Sequence, residues 1–224
     1  MAGARIEEES KGFTLNPDRV GTEGYLTIFS FLVLGATLFR LWYIYTGPLA
    51  LAPDEAHYWE WSRRLDLSYY SKGPMVAYLI FLFTRLGGAT ELWVRFPAVL
   101  LSSGAVVILY LTAWRLFSSH KVSFLASLTA LSIPLFTAGS ILMTIDAPFL
   151  FFWVLACYMA VRAVSQEGRL YHWLFCGLAL GLGFLSKYTM VLFVPSFFLY
   201  LCFQRRGRFW LKEKEPYLML GLGL

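Results

Sequence analysis

The chain has 224 residues, of which 58% are hydrophobic, 18% aromatic and 15% charged, with a formal net charge of +5. A soluble domain carries about a quarter charged residues, so this composition, with mean hydropathy +0.60, excludes an ordinary soluble domain and places the chain among membrane proteins. The positive charge does not point to nucleic acid, because the basic residues gather at the ends of apolar runs, where positive-inside retention puts them.

Residues 1–24 are polar and mixed in charge, lack the pattern of a cleavable signal peptide and read as a cytoplasmic tail. Tyr25–Tyr45 is the first predicted span, long enough for about 30 Å of hydrocarbon. Arg40 near its far end is placed to snorkel or to pair with an acid, and Thr46-Gly47-Pro48 stops the helix. The stretch from Pro53 to Pro74, PDEAHYWEWSRRLDLSYYSKGP, is the longest polar and aromatic interval between the apolar runs. Its first half predicts an amphipathic, Trp-rich helix lying in the interface, with Tyr58, Trp61 and Leu65 on one side and Arg63 and Arg64 on another. Met75–Leu86 is apolar but short for a span and reads as a second interfacial or re-entrant segment.

Further spans are predicted over Phe96–Phe117, Val122–Leu142 and Phe149–Val164. His172–Phe203 is interrupted at Ser186-Lys187-Tyr188-Thr189 and reads as a hairpin of short spans with Lys187 near its turn. Arg205, Arg206, Arg208, Lys212 and Lys214 follow, and then the apolar run Tyr217–Leu224. A cytoplasmic placement of 1–24, 118–121, 165–171 and 204–216 puts nearly all the basic clusters on one side. The loop 46–95, Asp146 and Lys187 then converge on the opposite face. The fold class is therefore an all-α polytopic bundle with interfacial helices in its first extracytoplasmic loop, and residues 25–224 read as the N-terminal part of a longer membrane module.

Asp54 and Glu55, at the exit of the first span, are the sharpest chemical feature. A carboxylate flanked by aromatics at the membrane boundary suits a general base for a hydroxyl nucleophile, although Asp54 equally suits a helix N-cap. Asp146 stands at a helix junction before Pro148, where a charge so near hydrocarbon needs a partner or solvent. Lys72, fixed by Gly73-Pro74, is a candidate cation for a lipid-level phosphate, with Arg95 and Lys187 as its candidate companions. His57, Tyr58, Trp61 and Tyr70 are candidate sugar or acceptor contacts, while Trp59, Trp61, Tyr69 and Tyr70 also suit interface anchors. Cys157, Cys176 and Cys202 lie in apolar runs without disulfide or zinc spacing and read as buried small hydrophobes. The GLALGLG run at Gly177–Gly183 has small residues at the spacing of close helix packing. A transporter using Asp146 and Lys187 as intramembrane charges is the alternative these residues leave open.

With DEAHYWEWSRRLDLSYYSKGP after the first span, RFPAVL at 95–100, TIDAPFLFFW at 144–153 and GLGFLSKYT at 181–189, the chain resembles the GT-C-fold membrane glycosyltransferases. The resemblance is to the bacterial branch related to dolichyl-phosphate-mannose protein mannosyltransferases and the lipid A aminoarabinose transferase. It implies an inverting transfer of a sugar from a polyprenyl-phosphate donor to an extracytoplasmic lipid, glycan or protein acceptor at the bacterial inner membrane. It implies catalytic roles for Asp54, Glu55 and Asp146, and donor-phosphate contact for Lys72, with Arg95 and Lys187 beside it. Some members of the family bind a divalent metal, and no complete ligand set is matched in this sequence. Many have His-Pro-Pro or Lys-Pro-Pro where this chain has Lys72-Gly73-Pro74.

Overall fold

The structure, a computed structural model, describes residues 17–47, 49–70, 72–165, 169–204 and 207–223. Residues 1–16 of the predicted tail, and Glu167, Arg205 and Arg206 of the basic turns, lie outside the described residues. Among the described residues the regular structure is helical, apart from one isolated bridge between Tyr69 and Lys72.

Helix α1 (Pro17–Tyr45) starts earlier than expected, with proline at its first position, where a missing N–H costs nothing. Its stretch Gly24–Tyr45 is long and apolar enough to span. The outward face carries Phe31, Leu38, Phe39 and Trp42, all well exposed, which is the surface a bilayer covers. Arg40 does not snorkel: it is buried on the inward side. Two shorter helices follow, α2 (Pro53–Ser62) and α3 (Met75–Gly87), packed on each other and on the entry of α4 (Glu91–Phe117). Helix α4 is the longest central element, 27 residues or about 40 Å at 1.5 Å per residue, and it packs against α1, α3, α5 and α7.

The single span expected over Val122–Leu142 is instead two helices, α5 (His120–Ser132) and α6 (Pro134–Gly139). Proline disfavours helical backbone at the residue before it; Ile133 accordingly turns to φ −73, ψ 118 and ends α5. Helix α7 (Asp146–Ala163) is the third helix long enough to cross. Helix α8 (Leu170–Ser186) stops at Lys187, a 3₁₀ turn spans Tyr188–Leu192, and α9 (Phe193–Phe203) folds back, so the predicted break is where the chain reverses. Two small helices, α10 (Gly207–Trp210) and α11 (Glu215–Gly223), close the described chain.

The packing runs as a row, α1–α4–α7–α8–α11, with α5 beside α1 and α4. Small residues permit the close pairs: Ala156 and Ala160 of α7 meet α8, where the Cys176 thiol donates to the Ala156 carbonyl at 3.5 Å. A Cβ on Gly177 would lie 2.5 Å from the Met219 carbonyl oxygen, so α11 can sit on α8 only at a glycine. Trp173, fully buried, closes the α8–α9 hairpin against Phe197 and Trp210, with ring centroids 5.9 and 5.1 Å away. Burial of such a ring against its neighbours is worth about 3–5 kcal/mol relative to alanine. Helix directions then decide the site: α1 ends, α4 begins, α7 begins and α8 ends at one end of the bundle. Asp54, Lys72, Asp146 and Lys187 are all collected there, while Arg115, Arg162 and Arg169 lie at the other.

Candidate active site

The site is built on a buried hub. Proline at the first position starts α2, which puts Glu55 at its third, close to the free N–H groups of the first turn. Glu55 does not face water. It is fully buried, and Arg95 grips it with two bonds, Nε to Oε1 at 2.9 Å and Nη2 to Oε2 at 2.6 Å. Oε1 also accepts from the Met143 amide and Oε2 from the Ala52 amide, each at 2.9 Å. Arg95 in turn donates Nη1 to the Leu49 carbonyl and Nη2 to the Ala50 carbonyl, both at 2.9 Å. One ion pair therefore ties the loop after α1, the start of α2, the first turns of α4 and the loop before α7.

This geometry changes the reading of two residues. Glu55 was a candidate acid–base group, but every bond it makes occupies a lone pair that a transferred proton would need. Arg95 was a candidate phosphate ligand, but its fork is committed to Glu55 and two carbonyls with its side chain 3% exposed. Both are the frame of the site. Asp54, one residue earlier and about 100° round the helix, is exposed and makes no hydrogen bond or ion pair among the described residues. It does not cap α2 either: the N-cap is Ala52.

Asp146 is the first residue of α7, after an N-cap at Ile145, and accepts from Lys187 Nζ at 2.7 Å. The pair is half solvated, with side chains 52% and 36% exposed, and Lys187 also lies over the Phe149 ring at 5.6 Å. Lys72 lines a pocket with Lys187. Its neighbour Gly73 packs so tightly on the end of α8 that a Cβ there would fall 1.9 Å from the Leu185 carbonyl oxygen. Only glycine allows this approach, and it brings Lys72 and Lys187 to the walls of one small pocket of about 160 Å³ with Ser186, Tyr188 and Thr189. Asp146, Lys187, Thr144 and Ser102 also form the polar part of a larger cavity of about 540 Å³, whose remaining walls include Ala105, Phe136, Leu142 and Phe149.

Tyr58 lies in the apolar cluster beneath the site, with Val76, Ile80, Val94 and Met143. It is buried under α2, and burial, then Asp54, then Asp146 raise its phenol above the usual range. The phenol is therefore within electrostatic reach of both carboxylates, at the end of the bundle where α2 and α7 begin. The other aromatic candidates are less central. Trp61 stacks on Tyr69 at 4.5 Å and 6°, which covers one face of the indole. His57 is exposed and borders Trp61 at 4.6 Å, and Tyr70 points outward at 94% exposure. Tyr69 is the better-built residue of that pair, its hydroxyl donating to the Arg64 carbonyl at 2.9 Å and accepting from the Asp66 amide at 3.0 Å. Among the described residues no three His, Cys, Asp or Glu side chains gather as metal ligands. With Glu55 held by Arg95, these residues alone do not compose a metal site. What composition and motif reading did not single out is the Met143 amide and the close packing of Gly73; the second had a signal, a glycine directly after Lys72.

Residues 71–224 match the family profile described as dolichyl-phosphate-mannose-protein mannosyltransferase. Lipid A galacturonosyltransferase RgtD of Rhizobium johnstonii is 34% identical over 166 residues, which cover 74% of this chain and 35% of that protein. An undecaprenyl phosphate-alpha-4-amino-4-deoxy-L-arabinose arabinosyl transferase 2 of Proteus mirabilis is 31% identical over 185 residues, covering 72% and 33%. The crystal structure of ArnT from Cupriavidus metallidurans bound to undecaprenyl phosphate superposes with a TM-score of 0.71, over 89% of this chain and 40% of that one, at 17% identity. Its apo form gives 0.69 over 91% and 41%, at 18% identity. These likenesses establish a shared fold, and the all-α multispan architecture read from the sequence is borne out. The chain spans about a third of the length of the curated relatives it matches.

Proposed function

The chain belongs to the dolichyl-phosphate-mannose-protein mannosyltransferase family, and from that premise we propose that this end of the bundle transfers a sugar from a polyprenyl-phosphate donor to an acceptor hydroxyl with inversion. The observation that carries the reading is the meeting of Lys72 and Lys187 in one pocket, with Lys187 also lining a largely apolar cavity beside Asp146. A lipid-linked phosphate needs that combination: cations for its oxygens, and greasy walls for the first units of its carrier.

The chemistry divides among these residues as follows. The acceptor O–H attacks the anomeric carbon from the face opposite the phosphate; the new C–O bond forms as the bond to the phosphate oxygen breaks. Asp54, exposed and unbonded, takes the acceptor proton. The two electrons of the broken bond stay on the phosphate, whose added charge Lys72 and Lys187 neutralise. Lys187 can serve because its pair with Asp146 is half solvated, and such pairs are worth about 0–1 kcal/mol. Asp146 is then freed to hold a sugar or acceptor hydroxyl. The buried Glu55–Arg95 hub fixes Asp54 by fixing the first turn of α2.

The donor class, the acceptor class (a lipid, glycan or protein hydroxyl) and an extracytoplasmic position for this end of the bundle are parts of the same proposal. The last is supported by the basic ends of α4 and α7 at the other end. The same geometry disfavours a transporter, whose essential charges belong near the middle of a span. The test is turnover of an undecaprenyl-phosphate-linked sugar in membranes carrying the protein as its cell makes it. Asp54→Asn is expected to lower the rate by about 10²–10⁴-fold, the span attributed to general acid–base groups, with unchanged thermal stability. Turnover equal to wild type removes Asp54 from the chemistry.

A further inference from the structure

The α2–α3 pair holds a second polar recess that the transfer reaction does not use. It has a volume of about 240 Å³ and is walled by Trp59, Ser62 and Arg63 from the end of α2 and by Phe81, Thr84 and Arg85 from α3. Its two cations come from different helices. Each is backed by a ring: the Arg63 guanidinium lies 5.4 Å from the Trp59 ring centroid, and that of Arg85 lies 5.1 Å from Phe81. Stacking of this kind holds a planar fork in place, so less freedom is lost when it binds.

The hydroxyls in the recess are already spent, Ser62 on the Trp59 carbonyl at 2.6 Å and Thr84 on the Ile80 carbonyl at 2.7 Å. Recognition therefore falls to the guanidiniums. The competing anion is Glu60, which meets Arg63 at 3.3 Å with side chains 57% and 60% exposed. An exposed pair of this sort is worth little and is easily exchanged. Arg85 has no carboxylate partner among the described residues. Beside the recess, Leu82 and Leu86 of α3 are 51% and 71% exposed, and Leu65 after α2 is 45% exposed.

We propose that the Arg63–Arg85 recess binds the phosphate of an anionic membrane lipid, one whose headgroup carries no compensating cation, with the lipid's chains lying on Leu82 and Leu86. Two guanidinium forks converging on one hollow match the oxygens of a phosphate, which accepts paired N–H bonds. The neighbouring apolar stripe selects a phosphate that arrives on a lipid over one free in solution. This site is separate from the Lys72–Lys187 pocket, shares no lining residue with it, and stands whether or not the transfer reaction is as described.

The test is native mass spectrometry of the detergent-solubilised protein titrated with phosphatidic acid, with phosphatidylcholine and with inorganic phosphate. It is run in a Lys72→Met, Lys187→Met background so that the other cationic pocket is silent. Phosphatidic acid is expected to be retained in preference to phosphatidylcholine, and Arg63→Gln with Arg85→Gln is expected to weaken it by about tenfold or more, the scale of one or two charge-assisted hydrogen bonds. Arg63→Lys with Arg85→Lys, which keeps the charge and loses the fork, is expected to fall between, and it replaces the glutamine pair if that pair does not fold. Equal affinity in either charge-altered or fork-altered protein overturns the proposal. So does equal retention of phosphatidylcholine, or inorganic phosphate binding as tightly as the lipid. A loss of thermal stability in the glutamine pair without loss of lipid would reduce both arginines to helix-end cations, and would equally overturn it.

Discussion

Two carboxylate–cation pairs stand at the same end of this bundle and differ in one respect, their access to water. Glu55–Arg95 is sealed, with side chains 0% and 3% exposed; Asp146–Lys187 is open, at 52% and 36%. Both have short contacts, 2.6 and 2.7 Å, so distance does not separate them. Burial does. The sealed pair cannot be taken apart without stranding a charge in a place that solvates it poorly, whereas the open pair can trade its partner for a substrate. The first is fit to hold a site and the second to operate one.

The sharpest way to break this comparison is to remove the cation from the sealed pair. Arg95→Met leaves Glu55 buried without its partner and is expected to cost about 3–5 kcal/mol, read as a fall in the unfolding midpoint of the detergent-solubilised protein. Pairing it with Glu55→Gln removes the stranded charge as well and is expected to restore a large part of that loss. A single variant that melts like wild type would mean that the pair is not the frame of the site. Next in size is Gly73→Ala. Its Cβ would stand 1.9 Å from a backbone oxygen of α8, so the Lys72 loop must move, at about 1–3 kcal/mol for an overpacked contact. Because that movement separates Lys72 from Lys187, KM for the lipid-linked donor is expected to rise more than kcat falls.

For the open pair the expected effect on stability is smaller still. Lys187→Met should change it by no more than about 1 kcal/mol, while turnover of the donor drops. Equal and large losses from Arg95→Met and Lys187→Met would erase the distinction between the pairs.

These outcomes also show what was readable from the residues alone. A long polar, aromatic loop in an apolar chain announces a site, because such a loop serves no purpose in merely spanning a bilayer. The helix directions that bring Asp146 and Lys187 to it follow from alternating spans. The division of labour between Asp54 and Glu55 was not readable. They are adjacent acids in the first turn of one helix, and which of them is buried depends on Arg95 and the Met143 amide, 40 and 88 positions away from Glu55. The partner of Arg95 is hidden for the same reason: a cation at a span entrance looks alike whether it faces a lipid phosphate or a buried carboxylate. The break in Val122–Leu142 was signalled by Pro134, but an unbroken apolar run masked it, since hydropathy does not register a missing N–H.

The smallest expected effect bears on Tyr58, the residue within electrostatic reach of both the open pair and the proposed base. Tyr58 has its phenol raised first by burial, then by Asp54 and Asp146. A raised phenol contributes stability that is fully present below its unfolded value of about 10 and is lost as pH climbs through the folded value. The Tyr58 contribution should therefore not vary with pH near neutrality, and stability should fall more steeply in strong alkali for wild type than for Tyr58→Phe. The carboxylate contributions can be isolated by following tyrosinate absorbance and taking the difference between each protein and its Tyr58→Phe counterpart. Asp54→Asn removes one of the two anions and Asp146→Asn the other, so each should let Tyr58 ionise at lower pH than in wild type. If only one of them shifts Tyr58, the phenol is not within reach of both carboxylates, and the proposed proton acceptor and the lysine-paired acid would have to act at separate places.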